Sequence, residues 1–339
     1  MTTYTILSSK DDVLICDPDG EYPELIRALG GTVITLRAGG KDHINAMEIS
    51  GGDDNAIIDQ AQFVMSIFER MEESTLNARE QSIIDRCVLE LYTRSKDVVT
   101  LKDLRKLLLD QPEGEAKDLA LAMERFTTGS LDIFAHATNV NLANRIICFD
   151  LHELSQQLRS VAMPTVTNIM LNRVNANWAE GKCTHIFIDE YQEVYGNAHS
   201  AGFFESAYRR FRKRGAPLTA ISQNVKVLLA SVDACAMISN SELLILLNQA
   251  APDREKLAET FHISEEQMKY VRNSAPGCGL LRIGRNLIPF ENSSAAGFLS
   301  LIKNKSISLS SSRGVLLPSV SEDVRAGAQP IRVPGRGYP

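Results

Sequence analysis

The sequence predicts an α/β protein: a parallel β-sheet interrupted by an all-helical insertion. Two observations carry this expectation. Short apolar runs (Val13–Cys16, Val33–Leu36, Arg145–Leu151, Ile186–Ile188 and Leu218–Ser222) recur between helical segments, with short turns rich in Asp, Gly and Pro among the early connections. Strand–helix–strand alternation of this kind builds parallel sheets with right-handed crossovers. Between the second and third runs the pattern changes: Ile57, Ala61, Val64, Ile67, Phe68 and Met71 recur at steps of three and four, as do Ile83, Ile84, Cys87, Val88 and Leu91. That is the period of an amphipathic helix. With 339 residues, 44% of them hydrophobic, the chain can bury a large core.

In chain order, the Val13–Cys16 strand ends at Asp17-Pro18-Asp19-Gly20, a turn cluster, and a short helix over Pro23–Leu29 closes at Gly30-Gly31. After the Val33–Leu36 strand comes a loop, and then the helical stretch, to which Leu101–Leu109 and Leu119–Phe126 add two more segments. A long helix is expected from His152 towards Trp178, with Pro164 either starting a new helix or kinking this one. The Ile186–Ile188 strand, a helix through Phe203–Arg214 and the strand at Leu218–Ser222 follow. Ala236–Ile238 and Leu243–Leu247 read as two more strands, and Ser264-Glu265-Glu266-Gln267 as a capping box. Gly279–Ile283 and Leu287–Phe290 read as a closing hairpin. The serine-rich stretch from Ser293 to Pro339 lacks apolar periodicity and is expected to be disordered. The expected domains are a first part of the sheet (1–54), the helical insertion (55–128), the rest of the sheet domain (129–291) and a tail (292–339).

Composition narrows the function. Lys and Arg number 36 against 42 Asp and Glu, a net charge of −6, so no overall field draws the chain to DNA or anionic lipid. Any nucleic-acid contact is local. The cysteines (Cys16, Cys87, Cys148, Cys183, Cys235, Cys278) form no CxxC pair, which argues against zinc and for reduced thiols. The histidines are scattered, and nothing points to a Ser-His-Asp or Cys-His hydrolase. The sequence has no signal peptide and no apolar run long enough to span a bilayer.

The chemistry concentrates at CTHIFIDEYQEV, Cys183 to Val194. Three apolar residues form a strand and Asp189 and Glu190 stand at its end, where open α/β sheets bind ligands. This is the Walker B arrangement, in which Asp189 holds Mg²⁺ through water and Glu190 orients and deprotonates the attacking water. A plainer reading stays open: the two acids cap the next helix. Gln223, after the LTAIS strand, is placed to sense a γ-phosphate or position a water, or is simply a polar residue ending a strand. Arg209, Arg210, Arg212, Lys213 and Arg214 make the densest basic run. It reads as a solvated helix end, an arginine finger acting in a neighbouring subunit, or a local DNA contact. Arg282 and Arg285 are weaker candidates for the same roles. The glycine-rich loop G-x-x-x-x-G-K-[ST] that normally partners a Walker B pair is absent from the 339 residues.

Five stretches in this order, DVLICDPDGEYPELIRALGG, GSLDIFAHATNVNLANRIICFDL, HIFIDEYQEV, FRKRGAPLTAISQNV and PGCGLLRIGRNLIPF, resemble the C-terminal ATPase domain of VirB-type and conjugative TraC/TraE-type ATPases of type IV secretion systems, within the FtsK/HerA superfamily. The similarity runs from about Asp11 to Glu291. It implies a RecA-like P-loop NTPase sheet with an all-helical insertion, and ATP hydrolysis with Mg²⁺. It also implies a homo-oligomer, expected to be a hexamer, held at the cytoplasmic face of the inner membrane by other secretion components. Asp189 and Glu190 then correspond to Walker B, Gln223 to the sensor position and Arg212 to Arg214 to the basic motif, which contains the finger. Such proteins carry the phosphate loop shortly before the strand that is here Val13–Cys16. The expectation is therefore an N-terminally truncated copy with impaired nucleotide binding; the alternative is a non-catalytic subunit docking on secretion partners. Past the IPF strand the family continues with an ordered segment that Ser293 onwards does not resemble.

Overall fold

The computed structural model describes residues 5–6, 9–49, 56–95, 97–195, 198–223, 225–272, 274–275 and 277–291. The expected disordered tail lies outside them. The chain divides into two compact units, Met1–Asn224 and Val225–Pro339.

In the first unit, β1 (Asp12–Asp17), α1 (Pro23–Ala28) and β2 (Thr32–Thr35) follow one another closely. Five helices come next: α2 (Ala56–Glu72), α3 (Ala78–Arg94), α4 (Leu101–Leu109), α5 (Gly114–Ala122) and α6 (Glu124–Thr127). The sheet resumes with β3 (Ile146–Asp150), α7 (Gln156–Ala179), β4 (Thr184–Ile188), α8 (Ala198–Lys213) and β5 (Leu218–Ala220). The strand order is β2-β3-β1-β4-β5, and every pairing is parallel. Every residue of β1 and of β3 is buried, because helices cover both faces of the sheet.

On one face Val13, Ile15, Ile146, Cys148 and Phe187 pack with Ile26 of α1. On the other, α7 lies across β1 and β4. Its lower end is tied to the sheet by polar groups: buried Asp12 accepts hydrogen bonds from Arg173 Nε (2.6 Å) and Asn177 Nδ2 (2.7 Å), and Asn177 also donates to Thr184 Oγ1 (2.8 Å). Pro164 is accommodated inside a continuous α7, where Thr165 and Thr167 donate to the carbonyls of Val161 (2.8 Å) and Met163 (2.9 Å).

Two of the helices between β2 and β3 begin at capping boxes. Asn77 and Glu80 close a capping box at α3, and Thr100 and Asp103 close one at α4. The α2 helix packs on α7 and α8. Its buried Gln60 donates to the Ala46 carbonyl (2.8 Å) and accepts from Asn168 of α7 (3.1 Å).

The second unit holds α9 (Val225–Ala230), α10 (Val232–Ser239), β6 (Leu243–Leu246), α11 (Ala251–Phe261), α12 (Glu265–Met268), β7 (Cys278–Ile283) and β8 (Asn286–Glu291). Its strands form an antiparallel sheet in the order β6-β7-β8, over a core of Leu229, Leu246, Leu257, Phe261, Val271 and Leu280. Gly279 is required there, since a Cβ would fall 2.3 Å from the Leu246 carbonyl oxygen of the neighbouring strand.

The expected strand at Ala236–Ile238 is a helix instead. Ser231 caps it by accepting from the Ala234 amide (3.3 Å), and a short apolar run does not by itself distinguish strand from helix. The Ser264–Gln267 capping box forms as expected, but the α-helix it opens lasts one turn. The α9 and α11 helices were not foreseen.

Candidate functional site

Because the strands run parallel, their carboxyl ends share one edge of the sheet. Register places Asp17, the last residue of β1, beside Asp150, the last residue of β3, and Cys16 beside Ile188, so Asp189 follows directly. The Asp189 amide donates to the Cys16 carbonyl (3.0 Å), which fixes the strand end. Its carboxylate accepts from the Glu190 amide (2.9 Å). Both acids are buried, at 6% and 8% exposure, and Glu190 sits in the left-handed backbone region at φ 47°. A non-glycine residue held there carries strain of about 1 kcal/mol or more, a cost characteristic of functional turns.

Glu190 is held from two sides. Gln223 Nε2, beyond β5, donates to Oε1 (2.5 Å), and Gln192 Nε2 donates to Oε2. Gln192 in turn accepts from Ser222 Oγ (2.5 Å). Gln223 and Glu190, paired on sequence grounds, are thus in contact. Gln192 was missed because its link to Ser222 exists only once β4 and β5 pair.

The turn after β1 adds more acid. Asp17 accepts from the amides of Glu21 (3.0 Å) and Tyr22 (2.9 Å). Gly20, at φ 68°, leaves space that a Cβ would fill 3.0 Å from the His152 ring. His152 is hydrogen-bonded to Asp150 (2.7 Å), which also accepts from Thr35 Oγ1 (3.1 Å).

This crowding shifts protonation. Burial pushes the Asp189 carboxyl up to about 6, helped by the charges of Glu190, Glu21 and Asp17 and opposed by the Glu190 amide. Glu190 is raised by burial and by Asp19 and Glu193, against the donors Gln192 and Gln223. Arg159 of α7 supplies positive charge, with Nη1 3.6 Å from Asp19 and 3.4 Å from Glu193. Its Nε is buried without a hydrogen-bond partner among the described residues, a donor open to an anion. Nothing in its helical context marks Arg159 from sequence.

A divalent cation suits this set: buried, electron-rich oxygens whose mutual repulsion a +2 charge relieves. Asp189, directly after β4, could hold such an ion.

The expected arginines lie elsewhere. A crossover helix runs back against its strands, so α8 ends at the opposite edge of the sheet. Gly215, just past Arg214, has its carbonyl 3.4 Å from Cys183 Sγ, immediately before β4. Arg214 stacks over Trp178 at the end of α7 (5.6 Å), and Arg212 is exposed. A cleft of about 490 Å³, lined in part by Asp59, Asn172, Trp178, Arg210 and Arg214, lies at that same far edge, away from the acids. In the second unit Arg282 is committed to the chain carbonyls of Ile238, Ser239 and Ser241 and lies over Phe261 (5.0 Å).

No protein-family model matches the sequence, and a search among curated proteins finds no match. Solved structures do match. VirB4 of Thermoanaerobacter pseudethanolicus superimposes with a TM-score of 0.76 at 21% identity, over 87% of this chain and 85% of that one. The bacterial conjugative coupling protein TrwB, in an unbound form lacking its first 70 residues, gives 0.55 at 13% identity over 85% and 79%. Plasmid coupling protein TrwB in complex with the non-hydrolysable GTP analogue GDPNP gives 0.50 at 10% over 82% and 84%. The fold is therefore the expected α/β RecA-like fold of P-loop NTPases.

The raised Asp189 carboxyl makes a prediction. Its folded value of about 6 lies above its ordinary 3.8, so its ionisation costs stability as pH rises through that window. Asp189→Asn should raise the melting temperature at about pH 8 without divalent cations, with the gain vanishing near pH 4. A gain that does not change with pH would refute the assignment.

Proposed function

We propose that this chain is an ATPase subunit of the type IV secretion class, built around Asp189 and Glu190. The observation that supports it most is the Glu190–Gln223 contact at the carboxyl edge of a parallel sheet, on a fold shared with VirB4 and TrwB. Mg²⁺, when bound with ATP, supplies charge neutralisation and a template for in-line attack. Asp189 would hold the cation. Glu190, kept in one orientation by Gln192 and Gln223, accepts the proton of the attacking water, and its raised affinity for protons suits a base. Arg159 offers its buried Nε–H to a phosphate oxygen.

Within the 339 residues no glycine-rich lysine loop surrounds the phosphates. Most phosphate hydrogen bonds come from such a loop, so this chain alone binds nucleotide weakly. Arg212 and Arg214, at the far edge, serve as fingers only towards a neighbouring copy, which is the reason to read the working form as a homo-oligomer, a hexamer by resemblance. In this reading residues 55–128 form the helical insertion of a sheet domain spanning 1–54 and 129–291. No described helix is long and apolar enough to cross a membrane. By resemblance, attachment to the inner face of the cell membrane runs through other secretion components, and any DNA contact is local.

A second reading rests on β5, which ends the five-stranded sheet with its outer edge unpaired in that sheet among the described residues. An open edge accepts an added strand. The chain is then a docking subunit that binds intact ATPase subunits or other secretion components.

Calorimetric titration of the chain with Mg-ATP should show no binding in the micromolar range, and micromolar binding would overturn the claim of impairment. In a version supplied with a glycine-rich lysine loop, Glu190→Gln should retain ATP binding while turnover falls by about 10²–10⁴-fold. Turnover at the unmodified rate would exclude Glu190 as the base. Mixing the chain with an intact relative should change that relative's oligomer size or ATPase rate; if neither moves, the docking reading is removed.

A further inference from the structure

A second cluster of ligating side chains lies at the opposite edge of the sheet. The register pairs Asp12 with Thr184 and Val13 with His185, so Asp11 stands beside Cys183, and the Asp12 amide donates to the Cys183 carbonyl (3.2 Å). Alternate residues of a strand share a face. Cys183 and His185 therefore project to one side, and Asp11 projects to the same side from the neighbouring strand. The atoms meet there. His185 Nε2 is 3.2 Å from Asp11 Oδ2 and 3.9 Å from Cys183 Sγ, and all three ligating atoms lie within 4.8 Å of one another.

We propose that Asp11, Cys183 and His185 form a binding site for a divalent transition-metal ion of the zinc type. Zinc bonds of roughly 2.0–2.1 Å to nitrogen and oxygen and about 2.3 Å to sulfur give tetrahedral edges of about 3.3 Å for N···O and 3.5 Å for N···S. The N···O separation matches, and the N···S separation of 3.9 Å exceeds the tetrahedral edge by only a few tenths of an ångström. One thiol, one imidazole and one carboxylate make a borderline-soft donor set that suits zinc or cobalt and disfavours magnesium and calcium, which take oxygen ligands. Asp11 and His185 keep 34% and 23% of their side chains exposed, so an ion can enter and a water can complete the tetrahedron. Binding deprotonates the Cys183 thiol, whose proton passes to solvent. The ion would clip the entry of β1 to the entry of β4, without touching Asp189 or Glu190.

The plainer arrangement is an Asp11–His185 ion pair beside a thiol that donates to the Gly215 carbonyl (3.4 Å). Titrating the reduced chain with Co²⁺ separates the two. The metal site predicts one equivalent bound, with tetrahedral d–d absorption and a thiolate-to-cobalt charge-transfer band, both displaced by Zn²⁺. Cys183→Ser should abolish the charge-transfer band, and His185→Gln and Asp11→Asn should each weaken binding by about tenfold or more. Circular dichroism of the metal-free variants checks that they are folded. Absence of the band in the parent chain overturns the proposal. So does a band that survives Cys183→Ser, which would place the metal on another cysteine.

Discussion

Parallel pairing in register is the constraint on which the rest of this structure depends. It brings Asp17, Asp150 and Asp189 to one edge of the sheet, because each ends or directly follows a strand that begins at the other edge. Helices cover both faces of β1 and β3, and that cover buries the acids and raises the proton affinity of Asp17 and Asp189. The carboxylates repel one another, and the fold tolerates this because backbone amides after β1 and β4, and the amides of Gln192 and Gln223, point at them. Packing and chemistry are coupled here, since loosening the cover would rehydrate the acids and return them towards ordinary behaviour.

Much of this was legible in sequence, for reasons that can be assigned residue by residue. The strands of the parallel sheet stood out as apolar runs, the first of them ended by turn residues, and the helices after β2 by their period. Asp189 and Glu190 were legible because two acids directly follow the apolar run of β4. Gln223 was legible because it follows the next strand. The misreading at Ala236–Ile238 came from an apolar stretch too short for its period to decide, although Ser231 carried the cap signal.

What sequence could not show are contacts made only by folding. Gln192 gains meaning when β5 brings Ser222 to it. Asp17 looked like part of a turn, and Arg159 like any helix residue, until β1 and α7 set them against the acids. Asp11 and His185 are 174 positions apart, so no spacing rule joins them. The cysteine pattern argued against zinc because spacing rules look for pairs in one segment, whereas register can assemble donors from two strands.

The two edges of the sheet therefore have different chemistry, with consequences for assembly. The α7 and α8 helices run back along the sheet, so Trp178 and Arg214 meet at the edge where β4 begins. A strand such as β4, with five residues, spans about 17 Å. Arg212 and Arg214 are thus separated from Asp189 by the length of the sheet, further than an arginine side chain extends. A phosphate held near Asp189 meets one of these guanidiniums only if a second copy presents its far edge to the first copy's acidic edge. Contact of that kind is head-to-tail, and head-to-tail contacts close into rings when the rotation between copies permits. The separation of acid and arginine within one chain is what makes a neighbouring copy part of the proposed site.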